Sequence, residues 1–124
     1  MKVLLDTHAL LWWVTDDPRL SSAARNAILD ADVAVSVVSL WEIEIKRGLG
    51  RIDVDTRELI REVGQTEGFR MLEIRPTHVL TLGELPLLHR DPFDRMLIAQ
   101  SIRDRLTLVT RDEAIRLYEI DVAW

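Results

Sequence analysis

Asp6, Glu42, Asp94 and Asp112 are four carboxylates spread along a 124-residue chain, each near the end of a predicted structural element. Asp6 closes the apolar run KVLL (2–5), and Glu42 lies one turn into a helical pattern after the β-branched run VAVSVVS (33–39). Asp94 falls in the first turn of the helix opened by DPFDRMLIAQ (91–100), and Asp112 stands just beyond LTLVT (106–110). Each acid has an ordinary role when taken alone. Asp6 can cap a first helix, Glu42 can face solvent, and Asp112 can cap a short helix over 112–118. Asp91 and Pro92 can open a helix in which Asp94 meets the positive end of the dipole. Taken jointly, acids at the ends of several separate segments point to one shared site. Grouped carboxylates repel by about 4 kcal/mol per pair at 4 Å and an effective dielectric near 20. They must take up protons or be neutralised by a cation. Hard cations such as Mg²⁺ or Mn²⁺ prefer oxygen ligands and keep several waters. Such an ion lowers the pKa of water and offsets charge on a phosphoryl oxygen, and two ions can clamp both attacking and leaving oxygens. The chemistry implied is metal-assisted hydrolysis of a phosphodiester.

The elements that must position these acids follow from the pattern. KVLL, VAVSVVS, FRMLEI (69–74), LTLVT and IDVAW (120–124) read as strands. Helices are expected from Asp6 or Thr7 through ALLWWV, from Ser21 or Ser22, through LWEIEIKRGLG to Gly48 or Gly50, and through DTRELIREVGQTEG. Further helices are expected in PTHVLTLGELP, over about 92–104, and in RDEAIRLY. Strands alternating with helices imply a mainly parallel sheet covered on both faces. The strands lack a clean two-residue alternation, as expected when both faces are buried. In such sheets ligands gather at the carboxyl ends of the strands, near a reversal of strand order. Trp12, Trp13, Trp41 and Trp124 read as core or interface aromatics.

Size and charge narrow the class. A chain of this length suits one domain over 1–124, and 48% hydrophobic residues suffice for a core. No apolar run nears the roughly 20 residues of a membrane span, and the flanks of ALLWWV do not read as a signal peptide. Absence of cysteine removes disulfide and thiol chemistry and fits a cytoplasmic protein. The net charge of −5 argues against a basic protein that coats phosphates. Clustered acids neutralised by divalent cations answer that objection. The 16 basic residues comprise 14 arginines and two lysines, a bias that suits bidentate phosphate contacts and equally a biased base composition.

Thr7, Ser36, Ser39 and Thr110 lie near the same strand ends, and Thr7 and Thr110 are singled out as hydroxyls that orient carboxylates or water. His8 and His89 are near the acids, but an oxygen-rich site does not require them.

The chain resembles the PIN-domain ribonucleases, in particular the VapC-type toxins of prokaryotic toxin–antitoxin pairs. The resemblance rests on LLDTHALLWW, SVVSLWEIEIKRGLGRI, LHRDPFDRMLIAQS and LTLVTRDEAI, in order and across nearly the whole chain. It implies a three-layer α/β/α sandwich and a Mg²⁺- or Mn²⁺-dependent endoribonuclease that hydrolyses RNA with metal-activated water, using one or two ions. Carried over residue by residue, the acidic quartet falls on Asp6, Glu42, Asp94 and Asp112. Asp6 and Asp94 are the principal metal ligands, and Glu42 and Asp112 complete the set directly or through water. Thr110 matches a small hydroxyl residue two positions before the last acid, while Asp91 lies outside the quartet. The resemblance further implies a homodimer and a cognate antitoxin that lies over the active groove. Lys46, Arg47, Arg51, Arg90, Arg95 and Arg111 are candidate contacts to RNA phosphates by their closeness to the acids.

Two other functions compete. A PIN-fold binding module without catalysis would keep the fold, but the intact quartet argues against it. A receiver-like signalling domain would need an acid pair after the first strand and an acceptor Asp after the third. Here Asp6 stands alone, and the third strand runs into Arg75-Pro76.

Overall fold

Val3, Leu4 and Leu5 fill the centre of the molecule, on the middle strand of a five-stranded sheet. The computed structural model describes residues 1–124. Strand β1 (Lys2–Leu5) is flanked by β2 (Asp32–Ser36) and β4 (Thr107–Val109), with β3 (Phe69–Leu72) and β5 (Val122–Ala123) at the edges. The order is β3-β2-β1-β4-β5, and every pair is parallel. Antiparallel neighbours can be joined by tight turns, but parallel ones need crossovers, which the helices supply.

Both faces of the sheet are covered. Val3, Leu5, Val33, Val35 and Val109 face one helical layer. That layer is built from α1 (Thr7–Val14), α2 (Ser22–Leu29), α3 (Val37–Gly48) and α4 (Thr56–Gln65), through Leu10, Ile28, Ile43 and Leu59. Leu4, Ala34, Leu72 and Leu108 face the other layer, formed by α5 (Pro76–Glu84) and α6 (Pro92–Asp104). Here α6 contributes Leu97 and Ile98. Burial of each large aliphatic side chain stabilises the fold by about 1.5–3 kcal/mol. The result is the expected α/β/α sandwich. No helix is long and apolar enough to cross a membrane.

Side chains set the helix starts. Asp6, Ser21, Ser36, Asp55 and Asp91 each accept a hydrogen bond from a backbone N–H in the first turn. A cap of this kind contributes about 1 kcal/mol. Asp91 accepts from both Phe93 N (2.8 Å) and Asp94 N (3.1 Å), with Pro92 at the first helical position.

Four elements differ from the sequence expectation. Strand β2 stops at Ser36 rather than running to residue 39. Ser36 caps α3, and the β-branched Val37 and Val38 are helical because Val38 is buried against the Leu4 face of the core. The segment 112–118 holds only a 3-10 turn, Ile115–Leu117, in place of an α-helix. There the buried Ile115 and Tyr118 anchor the chain to the core before it turns into β5. Strands β3 and β5 are also shorter than expected. Trp41 is 57% exposed and so is not a core aromatic. It packs edge-on against Phe93 of α6.

Candidate active site

Strand order reverses between β1 and β4: the chain runs outward to β2 and β3 on one side and to β4 and β5 on the other. A crevice at the carboxyl ends of the strands is expected there. Asp6 follows β1 directly, and its N–H donates to Val109 O (3.1 Å) at the end of β4. The loop after β4 carries Thr110 and Asp112. Thr110 Oγ1 accepts from Asp112 N (3.0 Å), and Asp112 Oδ1 accepts from Ala114 N (2.8 Å). This tight turn replaces the helix cap expected of Asp112.

Glu42 and Asp94 approach from the two helical layers. Glu42 is only 5% exposed, and both its oxygens are engaged. Thr7 Oγ1 donates to Oε1 at 2.7 Å, and Lys46 Nζ donates to Oε2 at 2.6 Å. Ser39 Oγ lies 3.1 Å from Thr7 Oγ1. A hydroxyl has one proton to give, so Ser39 completes the chain by donating to Thr7. Asp94 Oδ2 accepts from His89 Nε2 at 2.9 Å. Ligand atoms of His89, Asp94 and Asp112 all lie within 4.8 Å of one another.

The electrostatics report crowding. Burial pushes the Asp6 carboxyl above the usual range, and Asp112 adds to the rise; the Thr110 hydroxyl and the Ala9 N–H offset part of it. Asp94 is pushed up to about 6, first by burial and then by Asp91, Glu42 and Asp112, against the hydrogen bond from His89. Asp112 therefore acts on both Asp6 and Asp94, and Glu42 acts on Asp94. All four expected acids belong to one electrostatic cluster. Such a cluster stores protons or accepts a cation. The group drawn close enough to share one ion is His89, Asp94 and Asp112, two carboxylates and an imidazole, while Asp6 and Glu42 stand outside that 4.8 Å group. Carboxylate oxygens suit a hard divalent ion.

A family model described as "PIN domain" matches residues 3–121. The chain belongs to the PIN-domain family. Ribonuclease VapC22 of Mycobacterium tuberculosis (strain ATCC 25618 / H37Rv) is 35% identical over 116 residues, covering 92% of this chain and 89% of that protein. Among solved structures, VapBC2 from Rickettsia felis, bound to a DNA fragment from its promoter, matches with TM-score 0.66 and 16% identity. The match covers 98% of this chain and 97% of that one. A toxin–antitoxin complex from Klebsiella pneumoniae matches with TM-score 0.68 and 17% identity, over 97% and 94% of the two chains. DNA-bound VapBC from Salmonella typhimurium matches with TM-score 0.68 and 18% identity, over 98% and 96%. At these identities the structures establish the fold.

Within this PIN domain the candidate phosphate contacts divide. Lys46 pairs with Glu42, and Arg47 pairs with Glu44 on the surface. Arg51, Arg90 and Arg111 are exposed. Arg95 is engaged within the protein: its guanidinium donates to Pro86 O and to the Tyr118 hydroxyl, both at 2.9 Å, and so clasps the segment before α6.

Tyr118 went unrecognised in the sequence, and Ser39 and His89, noted there as near the acids, were not singled out for the roles they take. His89 faces Asp94, and Tyr118 holds the His89 segment by accepting from Leu88 N (3.3 Å) and His89 N (3.1 Å). Ser39 buttresses Thr7. The spacing of His89, five residues before Asp94 across a proline, carried the first signal. Nothing local marked Tyr118, which meets its partners about 30 residues away in sequence.

Proposed function

We propose that this PIN-domain protein is a metal-dependent endoribonuclease and the toxin of a toxin–antitoxin pair, hydrolysing RNA phosphodiester bonds. The observation that best supports the reading is that Asp112 lines one cavity with Asp6 and lies within 4.8 Å of Asp94, with Asp6 and Asp94 both raised above the usual carboxylate range. The 35% identity to Ribonuclease VapC22 supports the activity, and the fold shared with toxin–antitoxin complexes supports the biological role.

Asp6 and Asp94 are the principal ligands for Mg²⁺ or Mn²⁺, as one or two ions, and Glu42 and Asp112 complete the set directly or through water. When bound, the cation acidifies water and offsets charge on the phosphoryl oxygens. Thr7 and Lys46 hold the Glu42 carboxylate in one orientation. Thr110 does the same for the Asp112 loop through its backbone bond. Lys46, Arg47, Arg51, Arg90, Arg95 and Arg111 are the candidate side chains for RNA phosphates, Lys46 and Arg95 being also engaged within the protein. The chain acts as one domain over 1–124, works as a homodimer in the cytoplasm, and is held inactive by a protein antitoxin lying over the acids.

Chelation tests the metal requirement. EDTA stops cleavage of RNA by the purified protein, and added Mg²⁺ or Mn²⁺ restores it. Cleavage that persists unchanged in excess EDTA contradicts the reading. A small protein encoded beside this chain should neutralise its toxicity on co-expression.

A further inference from the structure

The cavity beside Asp6 and Asp112 contains an arrangement that the metal-ligand roles leave unexplained. It measures about 330 Å³ and is lined by Asp6, His8, Trp12, Arg19, Arg111 and Asp112. One wall carries the two carboxylates, and the other is cationic. Arg111 lies over the Trp12 ring with its guanidinium carbon 4.5 Å from the centroid, and Arg19 lies 5.0 Å from the same centroid. His8 stacks on Trp12 at 5.5 Å with 19° between the planes. Trp12 itself is 7% exposed, so no base can stack on it. It serves instead as a floor that fixes the cations around it. A guanidinium placed over an indole face still has N–H donors to offer planar acceptors.

The two arginines differ. Arg19 is tied to Asp17 through Nε (3.1 Å) and Nη2 (2.8 Å), which fixes its direction. Arg111 has no ion pair, and its side chain makes no hydrogen bond. It borders the cavity that holds Asp6 and Asp112, and its charge also acts on the nearby Asp17 carboxylate without a direct ion pair. Arg25, Arg47, Arg61 and Arg75 are paired with carboxylates, and among the arginines that are not, Arg111 is the one that lines the cavity with Asp6 and Asp112.

We propose that this cavity is a phosphate subsite of the RNA-cleaving site, in which Arg111, supported by Arg19, holds the backbone phosphate next to the cleaved one. The proposal rests on the ribonuclease reading for the identity of the ligand, but the geometry of the subsite stands on its own. A phosphodiester chain that presents one phosphate to a cation held by Asp6 and its neighbouring acids would carry a second phosphate one nucleotide away. The facing wall of the same cavity offers that second phosphate a fork of free donors, the geometry arginine uses for bidentate phosphate contact. A carboxylate from an acidic protein segment has similar geometry, and the test below separates the two.

The probe is a 2′-O-methylated RNA trinucleotide, with Mg²⁺ present, added to ¹⁵N-labelled protein. The readout is the Trp12 indole N–H resonance, identified by its loss in Trp12→Phe. The wild-type resonance shifts saturably. Arg111→Gln weakens binding about tenfold or more, as expected on losing hydrogen bonds to a charged group. The slope of log affinity against log salt falls by about 0.7 for the lost single-strand contact. Arg111→Lys restores the salt slope but only part of the affinity, since lysine cannot make the fork. Arg70→Gln, on the edge strand β3, binds as the wild type does and reports that the loss is local. Three results overturn the subsite: no shift with the trinucleotide, wild-type affinity in Arg111→Gln, or a shift given by a glutamate-rich peptide and not by RNA. Wild-type protein that binds the trinucleotide through Arg111 yet never cuts unmodified RNA upholds the subsite and defeats the ribonuclease reading. Cleavage with an unchanged KM in Arg111→Gln does the reverse.

Discussion

His89 Nε2 donates to Asp94 Oδ2 at 2.9 Å, and both side chains reach within 4.8 Å of Asp112. The imidazole thus fixes one oxygen of an acid assigned to the metal, from a loop held by the Tyr118 hydroxyl. Partners that orient metal ligands typically contribute 10–100-fold in affinity or activity. His89→Ala is therefore expected to weaken Mn²⁺ binding about tenfold or more by calorimetry, with the fold retained. Unchanged Mn²⁺ affinity would limit His89 to packing.

The first turn of α6 divides its labour between two acids. Asp91 accepts from Phe93 N and Asp94 N, whereas Asp94 reaches back toward His89 and the other acids. Asp91→Ala should lower unfolding stability by about 1 kcal/mol in denaturant titration, with metal binding largely retained. Asp94→Asn should lose metal binding and cleavage while unfolding at or above the wild-type midpoint without metal. Equal loss of metal affinity in both variants would return Asp91 to the metal site.

The raised Asp94 pKa gives a pH dependence with a definite sign. Its folded value is about 6, against 3.8 for an unperturbed carboxyl. Between these values the folded state holds more protons than the unfolded state, so this contribution is fully present at the acid end. It is lost as pH rises through about 6. A divalent cation needs the ionised form, and its stabilising effect runs the other way, growing as pH rises through the same window. Thermal melts of wild type and Asp94→Asn, with and without Mn²⁺, isolate the term by difference. A wild-type–variant difference that stays flat with pH in the absence of metal would remove Asp94 as the titrating group.

Glu42 makes a buried carboxylate dependent on two partners, Thr7 and Lys46. Thr7→Val keeps the volume and removes the hydroxyl, leaving Oε1 without that donor. The expected cost is about 1–3 kcal/mol of stability, together with weaker metal binding, measured by denaturant titration and calorimetry. Retention of both within error would mean that Lys46 alone suffices to hold Glu42.

Much of this was legible before any coordinates. The alternation of apolar runs with helical patterns specified a parallel sheet, and the cap residues Asp6, Ser21 and Asp91 started helices where their chemistry indicated. Asp6 and Asp112 stood out because they follow strands directly, whereas Glu42 and Asp94 lie within helices and were placed with them through the family resemblance. Val37 and Val38 misled because strand propensity yielded to the Ser36 cap and to burial of Val38. The chain after Asp112 misled because its helical pattern carries too few residues before it must supply β5. Arg95 and Tyr118 stayed hidden because their partners are set by tertiary packing, across 23 residues between themselves. The cation wall of Arg19 and Arg111 was hidden for the same reason. Nothing in local sequence brings residue 19 and residue 111 over one indole ring.

Cleavage of RNA by purified wild type, Asp6→Ala and Asp94→Ala, with Mn²⁺ supplied and folding checked by circular dichroism, tests the central claim most directly. The account predicts that wild type cuts RNA and that both variants, though folded, lose cleavage by orders of magnitude. Folded variants that cut at the wild-type rate would contradict it.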